Sequence, residues 1–119
     1  MTTLIEKELD FKLIPVDLSK NEQKDPTFLQ KNPFGMIPVL DDNGFQIFES
    51  RAICRYLEMK YKEKGIPLIP TTINELAYFE QGVSMETSYW DPNTGGLAYE
   101  FVFKPKWGKG VPDQRRVND

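Results

Sequence analysis

The stretch that most limits what this chain can fold into is 32–50, Asn-Pro-Phe-Gly-Met-Ile-Pro-Val-Leu-Asp-Asp-Asn-Gly-Phe-Gln-Ile-Phe-Glu-Ser. Two short apolar runs, Met36–Leu40 and Phe45–Phe48, flank Asp41-Asp42-Asn43-Gly44. Asn and Gly tolerate the positive φ of a tight turn, so the pattern predicts a β-hairpin. Pro38 lies inside the first run and donates no ladder hydrogen bond, which marks an edge, a bulge or a bend. Ser50 closes the second run just before Arg51-Ala52-Ile53 and is the expected N-cap of a following helix. A helix start beside a strand end gathers backbone N–H groups and a positive dipole end, an arrangement suited to a carboxylate or phosphate.

The 119 residues suffice for one ordinary domain, or one small domain plus part of another. A net charge of −3 and a pI near 5.0 give no general attraction to nucleic acid or an acidic membrane. Lys104, Lys106 and Lys109 are the one basic cluster, placed to favour a helix end. One Cys excludes an intrachain disulfide, and one Cys with no His argues against a transition-metal site. No run is apolar and long enough to span a bilayer and the N-terminus has no apolar signal region, so a reducing, cytoplasmic setting is expected.

In chain order, Thr3-Leu4-Ile5-Glu6 fits a capping box. Phe11–Leu18 reads as a strand, and Pro15 makes it an edge strand. Ser19–Lys31 reads as loop followed by a short, irregular helix near Thr27–Lys31. Arg51–Lys62 carries Ile53, Tyr56, Leu57 and Tyr61 on one helical face, with Cys54 off its centre. Residues 65–71 read as a Gly- and Pro-punctuated linker between a domain at 1–64 and the start of another at 72–119. Thr72-Ile73-Asn74-Glu75 is a second capping box. Beyond it Leu76, Phe79, Val83 and Trp90 form one apolar stripe, and Tyr78, Met85 and Tyr89 another, the pattern of a helix buried from two sides in a bundle. Asp91-Pro92-Asn93 is expected to interrupt that helix, which resumes over Leu97–Phe103 and stops near Pro105. From Trp107 the polar, Gly/Pro-rich tail is expected to be loose.

Pro26, Phe28 and Leu29, then Asn32–Gly35 and Ile37–Leu40, then Phe48–Ile53, Tyr56 and Leu57 form an ordered series. It resembles the glutathione-binding half of the phi-like glutathione S-transferases of plants and fungi. The resemblance implies an α/β thioredoxin-like domain without a Cys-x-x-Cys, followed by part of an all-α domain. It implies a glutathione site in which Ile37, beside a cis Pro38, pairs its main chain with the cysteinyl unit. Glu49 and Ser50 would hold the γ-glutamyl end, and Gln23 and Lys24 the glycine carboxylate. Met36 stands where the family often has a polar residue. Glutathione is then the co-substrate, a small electrophile its partner, a homodimer the assembly, and neither metal nor nucleic acid is involved. In the family a β-strand and a helical turn with a thiol-activating serine precede the residues matching Met1–Leu9. No residue here matches that serine, so no catalytic residue is assigned, and a truncated or mis-spliced gene product is expected.

The resemblance implies one of two functions: a glutathione transferase acting on small electrophiles, with little activity in this polypeptide alone, or a non-catalytic glutathione-binding or interaction module. A thiol oxidoreductase using Cys54 is the weakest reading, because Cys54 falls in a helix body rather than at a helix start.

Overall fold

Asn43 and Gly44 both take positive φ, 54° and 90°, as a two-residue hairpin turn requires. They join β1 (Val39–Asp42) to β2 (Phe45–Phe48) in the register Val39↔Phe48, Leu40↔Ile47, Asp41↔Gln46 and Asp42↔Phe45. The turn is braced from within, since Asp41 Oδ1 accepts the Gly44 N–H at 2.9 Å and Asp41 Oδ2 the Gln46 amide at 2.8 Å. This computed structural model describes residues 1–118, the side chains of Arg116 and Asn118 excepted. It divides into two compact units, Met1–Leu68 and a second from Ile69 on.

The first unit adds three helices to the hairpin: α1 (Thr2–Glu6), α2 (Pro26–Leu29) and α3 (Ser50–Lys60). Two 3₁₀ turns, Leu18–Lys20 and Glu22–Lys24, lead into α2. Helix α3 buries Ile53 and Leu57, the apolar heart of the unit. The Asp42 carboxylate, at the end of β1, fastens α3 to the hairpin. It receives Lys60 Nζ at 2.8 Å, Tyr56 Oη at 2.9 Å and Tyr61 Oη at 2.8 Å. Lys60 and Tyr61 as donors hold the Asp42 pKa down at about 2. Phe45 stacks on Tyr56 at 4.9 Å, adding an apolar layer to the same junction.

A second fastening joins α1 to the segment after α3. Lys7 is fully buried, pairs with Glu58 at 2.8 Å and donates to the Ile66 carbonyl at 3.2 Å. The Ile66 N–H returns a bond to the Glu6 carbonyl at 3.0 Å. Gly65 makes this approach possible: its φ is +55°, and a Cβ there would lie 2.0 Å from the Glu6 oxygen. Residues 65–68, read from sequence as linker, are therefore stitched to α1.

The strand expected over Phe11–Leu18 does not form. Two strands are present among the described residues, and no described group hydrogen-bonds the backbone of residues 10–16. The run follows an irregular path, and Leu13 and Ile14 face solvent. An edge strand exists only through its neighbour's ladder, and no described strand lies alongside. The capping box at Thr3 does not form either: Met1 is the N-cap of α1, and Thr3 Oγ1 instead donates to Cys54 Sγ at 3.2 Å.

In the second unit the chain stays helical from Ile73 to Lys106. It runs through α4 (Ile73–Met85), a π turn (Glu86–Trp90), α5 (Asp91–Ala98), a second π turn (Tyr99–Phe103) and α6 (Lys104–Lys106). Thr72 is the N-cap of α4, but its hydroxyl bonds the Glu75 carboxylate at 2.6 Å rather than a backbone N–H. Pro92 does not break this helix. Each π turn ends on an i→i−5 bond, Asp91 to Glu86 and Lys104 to Tyr99, one residue before Pro92 and Pro105. The wider turn gives room for a ring that would clash in a regular α-helix, and shifts the ladder where a donor is missing. Asn93 Nδ2 and Thr94 Oγ1 then donate to the Tyr89 and Trp90 carbonyls at 2.6 and 2.8 Å.

Burial from two sides is not seen among the described residues: Leu76, Phe79 and Val83 are half-buried, while Tyr78, Met85, Tyr89 and Trp90 are exposed. The short α7 (Gln114–Asn118) packs back against α5. The tail is not loose. Trp107 stacks on Phe103 at 5.2 Å, Lys109 Nζ sits 5.3 Å from the Trp107 ring, and the buried Glu100 carboxylate accepts the Asp113 N–H at 2.8 Å and Lys104 Nζ at 2.7 Å. No helix among the described residues is long and apolar enough to cross a membrane.

Two outcomes follow. Gly65→Ala sets a methyl against the Glu6 carbonyl and should lower unfolding stability by at least about 2 kcal/mol in a urea titration. Asp42→Asn should lower it by about 1–2 kcal/mol at pH 7. Because the folded pKa of Asp42 lies below its ordinary 3.8, its contribution is complete above about pH 4 and fades as pH falls toward 2. The stability difference between wild type and Asp42→Asn should therefore shrink over that window.

Candidate functional site

The hairpin register sets the geometry of the site. The ladder ends at the Val39–Phe48 pair, so Ile37–Pro38, which lead into β1, and Glu49–Ser50, which follow β2, both lie at the open end of the hairpin. The Ile37–Pro38 peptide bond is cis. Neither the N–H nor the C=O of Ile37 has a hydrogen-bond partner among the described residues. An extended ligand backbone finds there one donor and one acceptor, the means by which a strand edge takes up a peptide.

Opposite stands the start of α3. Ser50 is its first helical residue, not its N-cap, and Glu49 occupies the cap position with no side-chain cap bond. Glu49 has φ +71° and ψ 113°, a conformation that side chains rarely adopt. Strain of this kind costs about 1–3 kcal/mol and persists where the surroundings hold it. It turns the chain from β2 into α3 within one residue, leaving Ser50 exposed at the positive end of an 11-residue helix. A hydroxyl at a helix N-terminus suits a carboxylate.

The third side is the loop 32–36 with the turn Glu22–Lys24. Phe34 packs edge-on against Phe48 at 5.9 Å, which fixes the loop beside the end of β2. Gly35, φ +59°, lies under the turn: a Cβ there would come within 2.8 Å of the Gln23 carbonyl and of Lys24 Nζ. Lys24 Nζ donates to the Phe34 carbonyl at 2.9 Å and keeps two further donors. Gln23 is half-buried, and its Oε1 has no partner among the described residues. Met36 extends its side chain into solvent.

Phe34 and Gly35 thus tie Gln23 and Lys24 to the loop that leads into Met36, Ile37 and Pro38. A cationic side chain stands on one flank, a helix N-terminus on the other, and unpaired backbone between them. That order matches an extended molecule with a carboxylate near each end. Sequence reasoning gave Asn32 no role beyond its place in the motif, although it is 1% exposed, bonds this loop at three points and bonds the Phe28 carbonyl of α2. Its signal was the Asn-Pro-Phe-Gly run, since Asn commonly bonds backbone two residues on. Cys54 is exposed on α3 and contacts Thr3, not this corner.

The family model for the glutathione S-transferase N-terminal domain matches residues 1–59. Glutathione S-transferase hmp2 of Hypomyces subiculosus is 50% identical over 119 residues, which are 98% of this chain and 56% of that protein. The crystal structure of glutathione transferase F7 from Populus trichocarpa superposes with a TM-score of 0.93 at 40% identity, covering 99% of this chain and 55% of that one. Maize glutathione S-transferase I, solved in complex with an atrazine glutathione conjugate, has a TM-score of 0.81 at 29% identity over 98% of this chain and 54% of its own. The chain spans about half the length of the relatives it matches.

The left-handed φ of Glu49 gives a test of the geometry. Glu49→Ala and Glu49→Gly both remove the carboxylate, but only glycine is at ease at φ +71°. Glu49→Gly should be the more stable of the two by about 1 kcal/mol in thermal or urea unfolding. The ordered motif from Pro26 to Leu57, the proline-bent hairpin and these matches agree: the chain belongs to the glutathione S-transferase family, as a homologue of its phi-like plant and fungal members covering the thioredoxin-like N-terminal domain and the start of the helical domain.

Proposed function

We propose that this chain binds glutathione in the corner between Ile37–Pro38 and Glu49–Ser50, and that the activity it belongs to is conjugation of the glutathione thiol to small electrophiles. The observation that carries the reading is the unpaired Ile37 backbone at the open end of the hairpin, the end from which α3 starts. Ile37 takes the cysteinyl backbone, and Ser50 with the α3 N-terminus takes the γ-glutamyl carboxylate. Glu49 faces the ammonium of the same end, and Gln23 with Lys24 the glycine carboxylate. Met36 presents its backbone to the ligand while its side chain lies free in solvent.

Conjugation also needs the thiol as thiolate, held by a hydroxyl or amide donor, because a thiol with a pKa near ~8.5 is mostly protonated at pH 7. The α1 hydroxyl nearest in kind, Thr3 Oγ1, is directed to Cys54 Sγ. Thr3 therefore does not serve as that donor, and the polypeptide alone turns over slowly. The electrophile pocket, the homodimer and the cytoplasmic setting of a phi-like transferase belong to the same proposal. The maize homologue solved with a glutathione conjugate supports glutathione as the shared ligand.

The test has two parts. Isothermal titration with glutathione should show one site, weakened about tenfold or more by Ser50→Ala, as befits loss of a hydrogen bond to a charged group. Conjugation of an activated aryl chloride by the same preparation should stay near the uncatalysed rate. No heat of binding at millimolar glutathione would refute the cradle, and turnover matching a full-length relative would refute the missing activator.

A further inference from the structure

Asn32 is the most completely bonded residue near the candidate site and is 1% exposed. Its backbone N–H donates to the Phe28 carbonyl at 3.0 Å, and its C=O accepts the Gly35 N–H at 2.9 Å. Its side-chain Oδ1 accepts the Phe34 N–H at 3.0 Å, while Nδ2 donates to the Met36 carbonyl at 2.8 Å. One partner is a donor and the other an acceptor, so the network itself fixes which end of the amide faces which.

The bond to Met36 has a particular consequence. The Met36 carbonyl and the Ile37 N–H belong to one peptide unit, and a trans peptide unit is planar with these groups on opposite edges. Among the described residues Ile37–Pro38 alone is cis, so the Met36–Ile37 unit is trans. Holding the carbonyl from beneath therefore aims the N–H the opposite way. Donation to the carbonyl also polarises the unit and strengthens that N–H as a donor. The Ile37 N–H it aims has no partner among the described residues.

We propose that Asn32 is a positioning residue, which sets the Met36–Ile37 peptide plane so that the Ile37 N–H meets the main chain of the ligand's middle residue. The inference rests on the glutathione reading above and adds to it a division of labour. Asn32 governs capture of the cysteinyl backbone, while Ser50 and α3 capture the γ-glutamyl end independently. Lys24, which donates to the Phe34 carbonyl two residues earlier, braces the loop but not this peptide plane.

The experiment titrates the ¹⁵N-labelled 119-residue chain, wild type and Asn32→Asp, with glutathione and with γ-glutamylethylamide, which keeps the γ-glutamyl end but has no cysteinyl backbone. Amide shifts give the Kd for each ligand. Asn32→Asp keeps the acceptor for Phe34 and loses the donor to Met36. The expected result is about a tenfold weaker Kd for glutathione, an unchanged Kd for γ-glutamylethylamide, and an Ile37 amide that no longer responds while Ser50 still does. Equal weakening of both ligands, or no weakening of either, overturns the proposal, since a merely structural role affects the whole corner alike. If wild type binds γ-glutamylethylamide but not glutathione, this inference falls while the γ-glutamyl site stands. If wild type binds neither, both readings fall. Should Asn32→Asp not fold, Asn32→Ser carries the same comparison, because it keeps an oxygen without burying a charge.

Discussion

A single carboxylate holds the first unit in register. Asp42 ends β1, and its two oxygens take an ammonium and two phenols that all come from α3 or the residue after it. Hydrogen bonds to a charged acceptor contribute more than neutral ones, and this carboxylate is largely shielded from solvent. An exposed pair elsewhere in the unit, Lys20 with Asp17 at 3.3 Å, contributes little by comparison. The hairpin alone would be marginal, as two strands in water generally are. It is docked through Asp42 and through Ile53 and Leu57, and its far end carries Pro38 and Glu49.

The two ends of the hairpin divide the work. At the turn end, side-chain chemistry provides stability: Asp41 braces the loop and Asp42 braces the helix. At the open end the backbone does unusual things, with a left-handed Glu49 and a main chain without partners among the described residues at Ile37. Structures concentrate such departures where something is to be bound and pay for them elsewhere. Asn32 belongs to the second group in place and to the first in character, for it is buried, fully bonded and directed at an unbonded neighbour.

Much of this was legible in the residues, and the parts that were not have physical causes. Asn43-Gly44 announces the hairpin because few residues tolerate its φ values. The start of α3 was legible only to within one residue. Ser50 looks like a cap, but Glu49 takes the cap position at a backbone cost no composition reveals. The bonds of Asn32 could not be read because they depend on a loop conformation rather than on a pattern. Phe11–Leu18 has the composition of a strand, yet strand formation is a property of a pair, and no described partner is present. The stripes on α4 correctly describe apolar faces. What covers an apolar face is not encoded in that face, and Tyr89 and Trp90 remain in solvent.

The two π turns reach further than the prolines they accommodate. Each adds one residue to a turn, and one residue in an α-helix is about 100° of rotation. Side chains beyond Trp90 therefore point about a quarter-turn away from where an unbroken 3.6-residue count would put them, and those beyond Phe103 are displaced twice over. Glu100 falls within the second such turn, and there its carboxylate meets Lys104 and the returning Asp113 amide. The long helix is in effect a screw with two changes of phase. Which side chains share a side of it is decided by where the extra residues are inserted, as much as by which amino acids they are.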